Sequence, residues 1–162
     1  MYEDLSKGEL LKECNKLYRQ LNRKKVERLS WKKIMNGRLV RGPNYWSNGH
    51  FAVVNEACEI PKSVVALNLF ASDSATTLGE LAPAGIHEYS KAPRALWVGE
   101  TNDNGVKLII IKGFDTGFQA LYINALDKLL PGFDLYVKDG KSPALLMVNG
   151  LSAGLIMPHK LN

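Results

Sequence analysis

Asn-Gly and Asp-Gly pairs divide this chain into short apolar runs, and they limit its fold more than any other sequence feature. These pairs stand at residues 36–37, 48–49, 104–105, 139–140 and 149–150. Such pairs tolerate the positive φ angles that tight β-hairpins need. A chain that turns this often between short apolar runs is expected to form antiparallel strands.

Two longer segments have helical rather than strand periodicity. In residues 3–23 the apolar side chains recur at steps of three and four, which places them on one face of a helix. Residues 118–130 show the same spacing and end at Pro131-Gly132, a typical helix stop. Residues 113–117 are expected to connect a strand to this second helix. The residues on the apolar face of the first helix are Leu10, Leu11, Cys14, Leu17, Tyr18 and Leu21.

Strands are expected wherever the remaining apolar runs lie between turn signals. Residues 64–70 fit a short helix or a strand. The final strand is expected to pair inside a sheet, so that the C-terminus is held by ladder hydrogen bonds and does not fray. The predicted strands are 31–40, a hairpin over 45–56 that turns at Asn48-Gly49, 95–100, 106–112, 133–138, 144–148 and 151–157.

These elements predict an α+β fold in a single domain. Its two halves, approximately 1–92 and 93–162, each contain a helix followed by short antiparallel strands, and both helices are expected on one face of the sheets. A chain of 162 residues is long enough to bury a real hydrophobic core.

The positive charge is concentrated at the N-terminal end. Residues 1–41 contain 12 Lys/Arg and 5 Asp/Glu, a net charge of +7, whereas the rest of the chain carries −2. Lys12, Lys16, Arg19 and Arg23 lie on the side of the first helix opposite its apolar face. This row either faces the phosphates of a nucleic acid or is an ordinary solvated helix face.

The sequence offers little sign of catalysis. His50, His87 and His159 are scattered, and none of the common nucleophile, metalloprotease or phosphate-loop motifs occurs. Cys14 and Cys58 lack metal-ligand spacing, so two buried free thiols are expected, with a disulfide as the alternative. We therefore expect a non-enzymatic protein without a cofactor. The absence of a secretory signal and of a membrane-length apolar run favours a cytoplasmic location.

Three motifs in the C-terminal half share their order and approximate spacing with a known family. They are Gly117-Phe118-Gln119-Ala120-Leu121-Tyr122, Lys141-Ser142-Pro143-Ala144-Leu145-Leu146 and Leu155-Ile156-Met157-Pro158-His159-Lys160-Leu161. They resemble the last domain of the bacterial DNA sliding clamp, the β subunit of the replicative polymerase. That family has Gly-Phe-Asn-x-x-Tyr, Asn-Ser-Pro-x-Leu-Ile and a closing Val-Val-Met-Pro-Met-Arg-Leu at these places. A hairpin motif, Trp46-Ser47-Asn48-Gly49-His50-Phe51-Ala52, resembles the family's Thr-Asp-Gly-His-Arg-Leu-Ala.

The resemblance implies a clamp-like domain whose helices face DNA and whose sheets lie outside. It also implies a role in DNA replication, as a processivity or docking factor that receives linear peptides from replication proteins. The hairpin would line the other side of the peptide pocket from the neighbouring domain. The implied pocket residues are Gln119, Tyr122, Ser142, Leu155, Ile156, Met157, Pro158, His159 and Leu161, with Gly49, His50 and Phe51 from the hairpin. For Leu155 and Ile156 a place in the core is an equal alternative.

The chain departs from the family pattern in ways that leave several functions open. Clamps carry three such domains per chain, whereas this chain has room for one. His159 replaces the family's second Met, Asn48 replaces Asp and Phe51 replaces Arg. Copies could assemble head to tail into a ring on DNA, or the domain could serve as an interaction module without a ring. A basic nucleic-acid-binding protein of unrelated fold is the third possibility.

Overall fold

The computed structural model of the chain describes residues 6–76, residue 78 and residues 88–161. The helices are α1 (Lys7–Glu27), α2 (Trp31–Met35), α3 (Lys62–Val65) and α4 (Ala120–Leu129), with a short 3₁₀ turn at Arg94–Leu96. The strands are β1 (Leu39–Arg41), β2 (Tyr45–Ser47), β3 (Phe51–Val54), β4 (Ala71–Asp73), β5 (Ser90–Lys91), β6 (Trp97–Thr101), β7 (Lys107–Ile111), β8 (Thr116–Gln119), β9 (Asp134–Val137), β10 (Ala144–Val148) and β11 (Leu151–Ile156).

The strands form one large and one small sheet. The large sheet has eight strands in the order β4-β1-β2-β3-β11-β10-β9-β5, antiparallel except for the β1–β4 pair. The small sheet is the antiparallel set β6-β7-β8. The chain is therefore a mixed α+β protein with a large sheet and few helices, as the sequence predicts.

The last strand lies near the middle of the large sheet. β11 pairs with β10 on one side and with β3 on the other, so that Ile156 stands opposite both Ala144 and Phe51. The prediction that the C-terminal strand is zipped into a sheet is confirmed. This pairing also joins strands from the two halves of the chain and brings the β2–β3 hairpin next to the C-terminal segment.

Two of the predicted elements are wrong in detail. Residues 31–40 begin as helix α2 rather than as a strand, because Trp31, Ile34 and Met35 bury one helical face and Asn36 ends the helix in the left-handed conformation. The segment expected to connect a strand to the second helix contains strand β8. Gly113, with φ +85°, turns the chain back after β7, and the helix begins at Ala120 rather than at residue 118.

Helix α1 starts and ends later than predicted, at Lys7 and Glu27. Ser6 Oγ accepts from the Glu9 N–H and the Glu9 carboxylate accepts from the Ser6 N–H, a capping box that fixes the start. The helix meets the rest of the molecule near its C-terminal end, where Asn22 Nδ2 donates to the Lys128 carbonyl of α4 and Val26 is buried.

The apolar face predicted for α1 is mostly exposed. Leu11, Leu17, Tyr18 and Leu21 keep between 48% and 63% of their surface accessible. The periodicity predicted the helix correctly. Most of its apolar face lies N-terminal to Asn22, where α1 meets α4, and this part of the face is not packed on the sheets.

Candidate functional site

The β2–β3 hairpin loop is built around the buried side chain of Asn48. Its Oδ1 accepts hydrogen bonds from the His50 and Phe51 N–H groups, at 2.8 and 2.9 Å. Its Nδ2 donates to the Ile34 carbonyl of α2, at 2.8 Å. An aspartate could make the first two bonds but could not donate the third. Asn48 therefore ties the loop to α2.

Replacing Asn48 with aspartate is expected to lower the free energy of unfolding by about 1–3 kcal/mol. The change removes the donor to the Ile34 carbonyl and buries a carboxylate against a carbonyl oxygen. Urea unfolding of Asn48→Asp beside Asn104→Asp measures this effect. Asn104 is exposed in the β6–β7 turn, so its substitution should change stability by less than about 0.5 kcal/mol. Equal stabilities of the two variants would contradict the bonding described for Asn48.

The Asn48 loop holds His50 against α4. The His50 and Tyr122 rings are stacked, with centroids 5.1 Å apart and planes 14° from parallel. Tyr122 also contacts Phe51, at 5.8 Å between centroids. Burial raises the pKa of Tyr122. Because Tyr122 is buried and His50 is exposed, the pair forms an aromatic wall with one accessible side.

The C-terminal segment after β11 runs beside this wall and connects the two sheets. The Met157 N–H donates to the His50 carbonyl at 2.8 Å, and the His159 N–H donates to the Gly117 carbonyl of β8 at 2.8 Å. Leu161 follows over Gly117, where an added Cβ would lie 3.5 Å from Leu161 Cδ2. Met157 and Leu161 keep 44% and 39% of their surface exposed.

We call the surface made by this wall and the C-terminal segment the aromatic–tail site. It unites several residues that the sequence assigned to a peptide pocket: Gly49, His50, Tyr122, Met157, His159 and Leu161. Phe51, also assigned to the pocket, is instead buried in the main core behind Tyr122. The resemblance placed the hairpin in a neighbouring domain. In this chain the hairpin and the C-terminal segment meet within one sheet, because β3 pairs directly with β11.

The remaining predicted pocket residues lie elsewhere or are buried. Ile156 is fully buried in the main core, and Leu155 points to the opposite face of the sheet, where it packs with Tyr45 and Ala52. Gln119 is half-buried just before α4, and Pro158 is half-buried in the C-terminal segment.

Ser142 lies in the β9–β10 connection, where the Asp139 carboxylate accepts from its N–H and its hydroxyl. The Lys141 N–H, the Ser142 N–H and the Ser142 hydroxyl lower the pKa of Asp139 by bonding its carboxylate. The described contacts of Ser142 therefore hold a turn, and they do not reach the stacked rings.

Sequence reasoning missed one basic residue beside the aromatic–tail site. The Arg38 guanidinium lies against the hairpin loop, and an added Cβ on Gly49 would come 2.9 Å from its Nη1. Arg38 is exposed and placed there by the connection from α2 to β1. No local pattern marks it, because its proximity to Gly49 depends on the folding of the hairpin over α2.

The predicted DNA-facing residues lie along α1. Lys12, Lys16 and Arg23 are exposed, while the side chain of Arg19 lies outside the described part of the structure. Shallow grooves along this helix are lined by its own side chains, including Asn15 and Gln20. The arrangement is a basic surface on one helix rather than an enclosed cavity, and it can contact phosphates only as a solvated row of charges.

The cysteines are both free. Cys58 is partly buried, and burial, with smaller effects of Glu59 and Glu27, raises the pKa of its thiol to about 11. Cys14 is exposed on α1, so the expectation that it is buried is wrong. His87, the remaining histidine considered in the sequence, lies outside the described residues.

Within residues 6–76, 78 and 88–161, three or more His, Cys, Asp or Glu side chains do not gather into a group that could hold a metal ion. In the same part of the chain, every helix is too short or too polar to cross a membrane. Comparisons with protein-family models, with curated proteins and with solved structures found no match for this chain.

Proposed function

We propose that this protein is a cytoplasmic, non-catalytic factor of DNA replication that resembles a sliding clamp and docks linear peptides of replication proteins. The proposal rests on the motifs shared with the clamp family and on one geometric observation. The hairpin motif, the helix-start motif and the C-terminal motif, far apart in the sequence, meet at the stack of His50 on Tyr122. These are three of the four segments that the resemblance assigns to a peptide pocket, and the segment with Ser142 lies apart from them.

The chemistry of the aromatic–tail site suits a short peptide. The exposed faces of His50, Met157 and Leu161 offer aromatic and apolar contacts beside the hairpin loop. Methionine adapts its shape to different ligands, so a site that contains it can accept several peptide sequences. Peptide and small-molecule sites are largely apolar with a few well-placed polar groups, and Arg38 supplies such a group at one edge.

A titration with a fluorescently labelled clamp-binding peptide tests this function. Wild-type protein should bind, and His50→Ala should weaken the affinity about tenfold or more, because truncation removes the exposed ring of the stack. Leu151→Ala is the control, since Leu151 is also exposed but stands at the far end of β11. Tyr122→Ala should weaken binding further, with circular dichroism checking its fold.

Absence of wild-type binding up to millimolar peptide would refute the docking function. Binding that His50→Ala and Tyr122→Ala leave unchanged would place the peptide elsewhere and would refute this site.

DNA contact is the second part of the proposal and rests on the basic row of α1. Exposed lysines and arginines that face phosphates give weak, sequence-independent and salt-sensitive binding. Replacing Lys12, Lys16 and Arg23 together by glutamine should remove retention on double-stranded DNA at low salt. A control variant with glutamine at Lys107, Lys112 and Lys141, which are exposed outside α1, should keep most of the retention on DNA. Equal retention by both triple variants would exclude α1 as the DNA contact.

A clamp-like interaction module that does not form a ring is the alternative function. Sedimentation at high concentration with and without DNA separates the two. A ring requires a closed oligomer, whereas the module binds its peptide without one. An unrelated nucleic-acid-binding protein would bind DNA through α1 and show no peptide affinity at all.

A further inference from the structure

One end of the large sheet gathers exposed residues from several strands. β1 and β4 pair in parallel from their first residues, so Arg38 and Phe70, which directly precede them, lie at this end on adjacent strands. The β2–β3 loop and the residue after β11 lie at the same end, where the Met157 N–H donates to the His50 carbonyl. Because the strand order is β4-β1-β2-β3-β11, these residues form a row across the sheet, which we call the sheet-end row: Phe70, Arg38, His50 and Met157.

The sheet-end row is positively charged. The segments 48–51 and 157–161 contain Lys160 and no acidic residue. Arg38 is exposed with its guanidinium beside Gly49, and the ion pairs among the described residues are formed by other side chains. A guanidinium binds a carboxylate through two parallel, charge-assisted hydrogen bonds. An acidic group is therefore the ligand that suits this position.

The other residues of the row favour a peptide over a nucleic acid. Phe70 is 87% exposed and Met157 is 44% exposed, so the row offers aromatic and apolar contacts on both sides of its charge. Nucleic acids bind to positive charges that are repeated along the backbone. Here the basic residues are separated, because Lys160 belongs to the C-terminal segment and Arg38 lies on the other side of the hairpin.

The strand spacing sets the distance between the apolar contacts and the charge. Three strand intervals separate β11 from β1, and at about 4.8 Å each they span about 14 Å. An extended peptide advances about 3.3 Å per residue, so about four residues separate a side chain on Met157 from one on Arg38. Phe70 lies one strand further, where a peptide that continues past Arg38 meets an aromatic ring. This continuation favours an acidic side chain within the peptide over a terminal carboxylate.

We infer that Arg38 determines specificity at the aromatic–tail site and selects peptides in which an aspartate or glutamate stands about four residues from an apolar anchor. The Arg38 guanidinium binds the acidic side chain, Met157 and Leu161 contact the anchor, and Phe70 contacts an apolar residue beyond the acid. This specificity rests on the peptide docking proposed above and adds the chemistry of the ligand.

Fluorescence titration with paired peptides tests this specificity. The first labelled peptide has two leucines, three serines, one aspartate and two further leucines, and its C-terminus is amidated. Its twin has asparagine in place of aspartate, and both are also made in reversed order. Wild type should bind the aspartate peptide about fivefold more tightly than its twin in one of the two orders. The difference should shrink as salt is raised from about 0.05 to about 0.5 M, because the pair is partly exposed.

Two variants with the same loss of charge locate the contact. Arg38→Gln should remove the preference for aspartate. Arg41→Gln is the matched control, because Arg41 is also exposed but stands at the other end of β1, and it should keep the preference. A charge exchange separates direct contact from a structural role of Arg38. Arg38→Glu should prefer a peptide with lysine at the acidic position, since the pair is then restored with reversed signs.

The outcomes separate this specificity from the docking function. Equal wild-type affinity for the aspartate and asparagine peptides in both orders would overturn the role of Arg38 and leave docking intact. Absence of binding by every peptide would refute both. A preference that persists in Arg38→Gln would also overturn the inference. So would tighter binding of a peptide that ends at the acidic position with a free carboxylate, or binding of single-stranded oligothymidine that depends on Arg38.

Discussion

Trp46→Ala is expected to lower the free energy of unfolding by about 3–5 kcal/mol, the usual cost of emptying the space of a buried aromatic side chain. Trp46 is fully buried on β2 and meets Trp31 of α2 and Phe51 of β3 edge-to-face, at 6.1 and 5.9 Å between centroids. Its indole N–H donates to the Cys58 carbonyl at 2.9 Å. Truncation therefore removes packing between the hairpin and α2 and leaves a carbonyl without its donor.

Urea unfolding followed by circular dichroism measures this loss as a lower midpoint with an unchanged slope. Phe70→Ala is the control, because Phe70 is a large aromatic side chain that is 87% exposed and should contribute less than about 0.5 kcal/mol. Small natural domains are stable by only about 5–15 kcal/mol, so the Trp46 variant should also bind peptide less well near its midpoint. Similar midpoints for the two variants would show that the core is not centred on Trp46.

The turn pairs in the sequence predicted most of the strands of the large sheet. Asn48-Gly49 and Asn149-Gly150 mark the two hairpins whose strands β3 and β11 meet, and the predicted spans of β9, β10 and β11 lie within a few residues of the observed ones. These features are local, since a turn dipeptide and an alternating apolar run act through neighbouring residues.

The errors arose where distant contacts decide the conformation. Trp31, Ile34 and Met35 stand at helical spacing, but they cover little more than one turn, and the strand prediction for residues 31–40 did not use this signal. The structure makes this segment helical because its buried face packs under the hairpin, where the Ile34 carbonyl accepts from Asn48. The exposure of the apolar face of α1 has the same origin, because periodicity identifies a face but does not identify what covers it.

The candidate site was predictable only through the shared motifs. No spacing rule links His50 to Tyr122, which are separated by more than 70 residues and meet because β3 pairs with β11. The motifs named both residues but could not show that Ile156 is buried or that Leu155 lies on the other face of the sheet. Side chains alternate between the two faces of a strand, so Leu155 and Ile156 point to opposite faces. Alternation does not tell which of the two faces lines the main core.

Gly154→Ala is expected to lower the free energy of unfolding by about 3 kcal/mol and to weaken peptide binding as well. Gly154 stands in β11 opposite Val53 of β3, and an added Cβ would lie 2.3 Å from the Ala52 carbonyl oxygen. A backbone atom at that distance cannot swing aside as a side-chain tip can, so the two strands must separate. The same strand pair brings His50 to the Met157 N–H, so its separation also opens the aromatic–tail site.

Gly99→Ala provides the matched control for this prediction. Gly99 also lies within a strand, β6, but its added Cβ would meet no described atom within 4 Å. Alanine there should be neutral or slightly stabilising, because it reduces the conformational freedom of the unfolded chain. Thermal and urea unfolding of the two variants, followed by peptide titration, measures both effects. Equal stability and equal peptide affinity of Gly154→Ala and Gly99→Ala would show that β3 and β11 do not approach each other as described. The hairpin would then not contact the C-terminal segment through this strand pair.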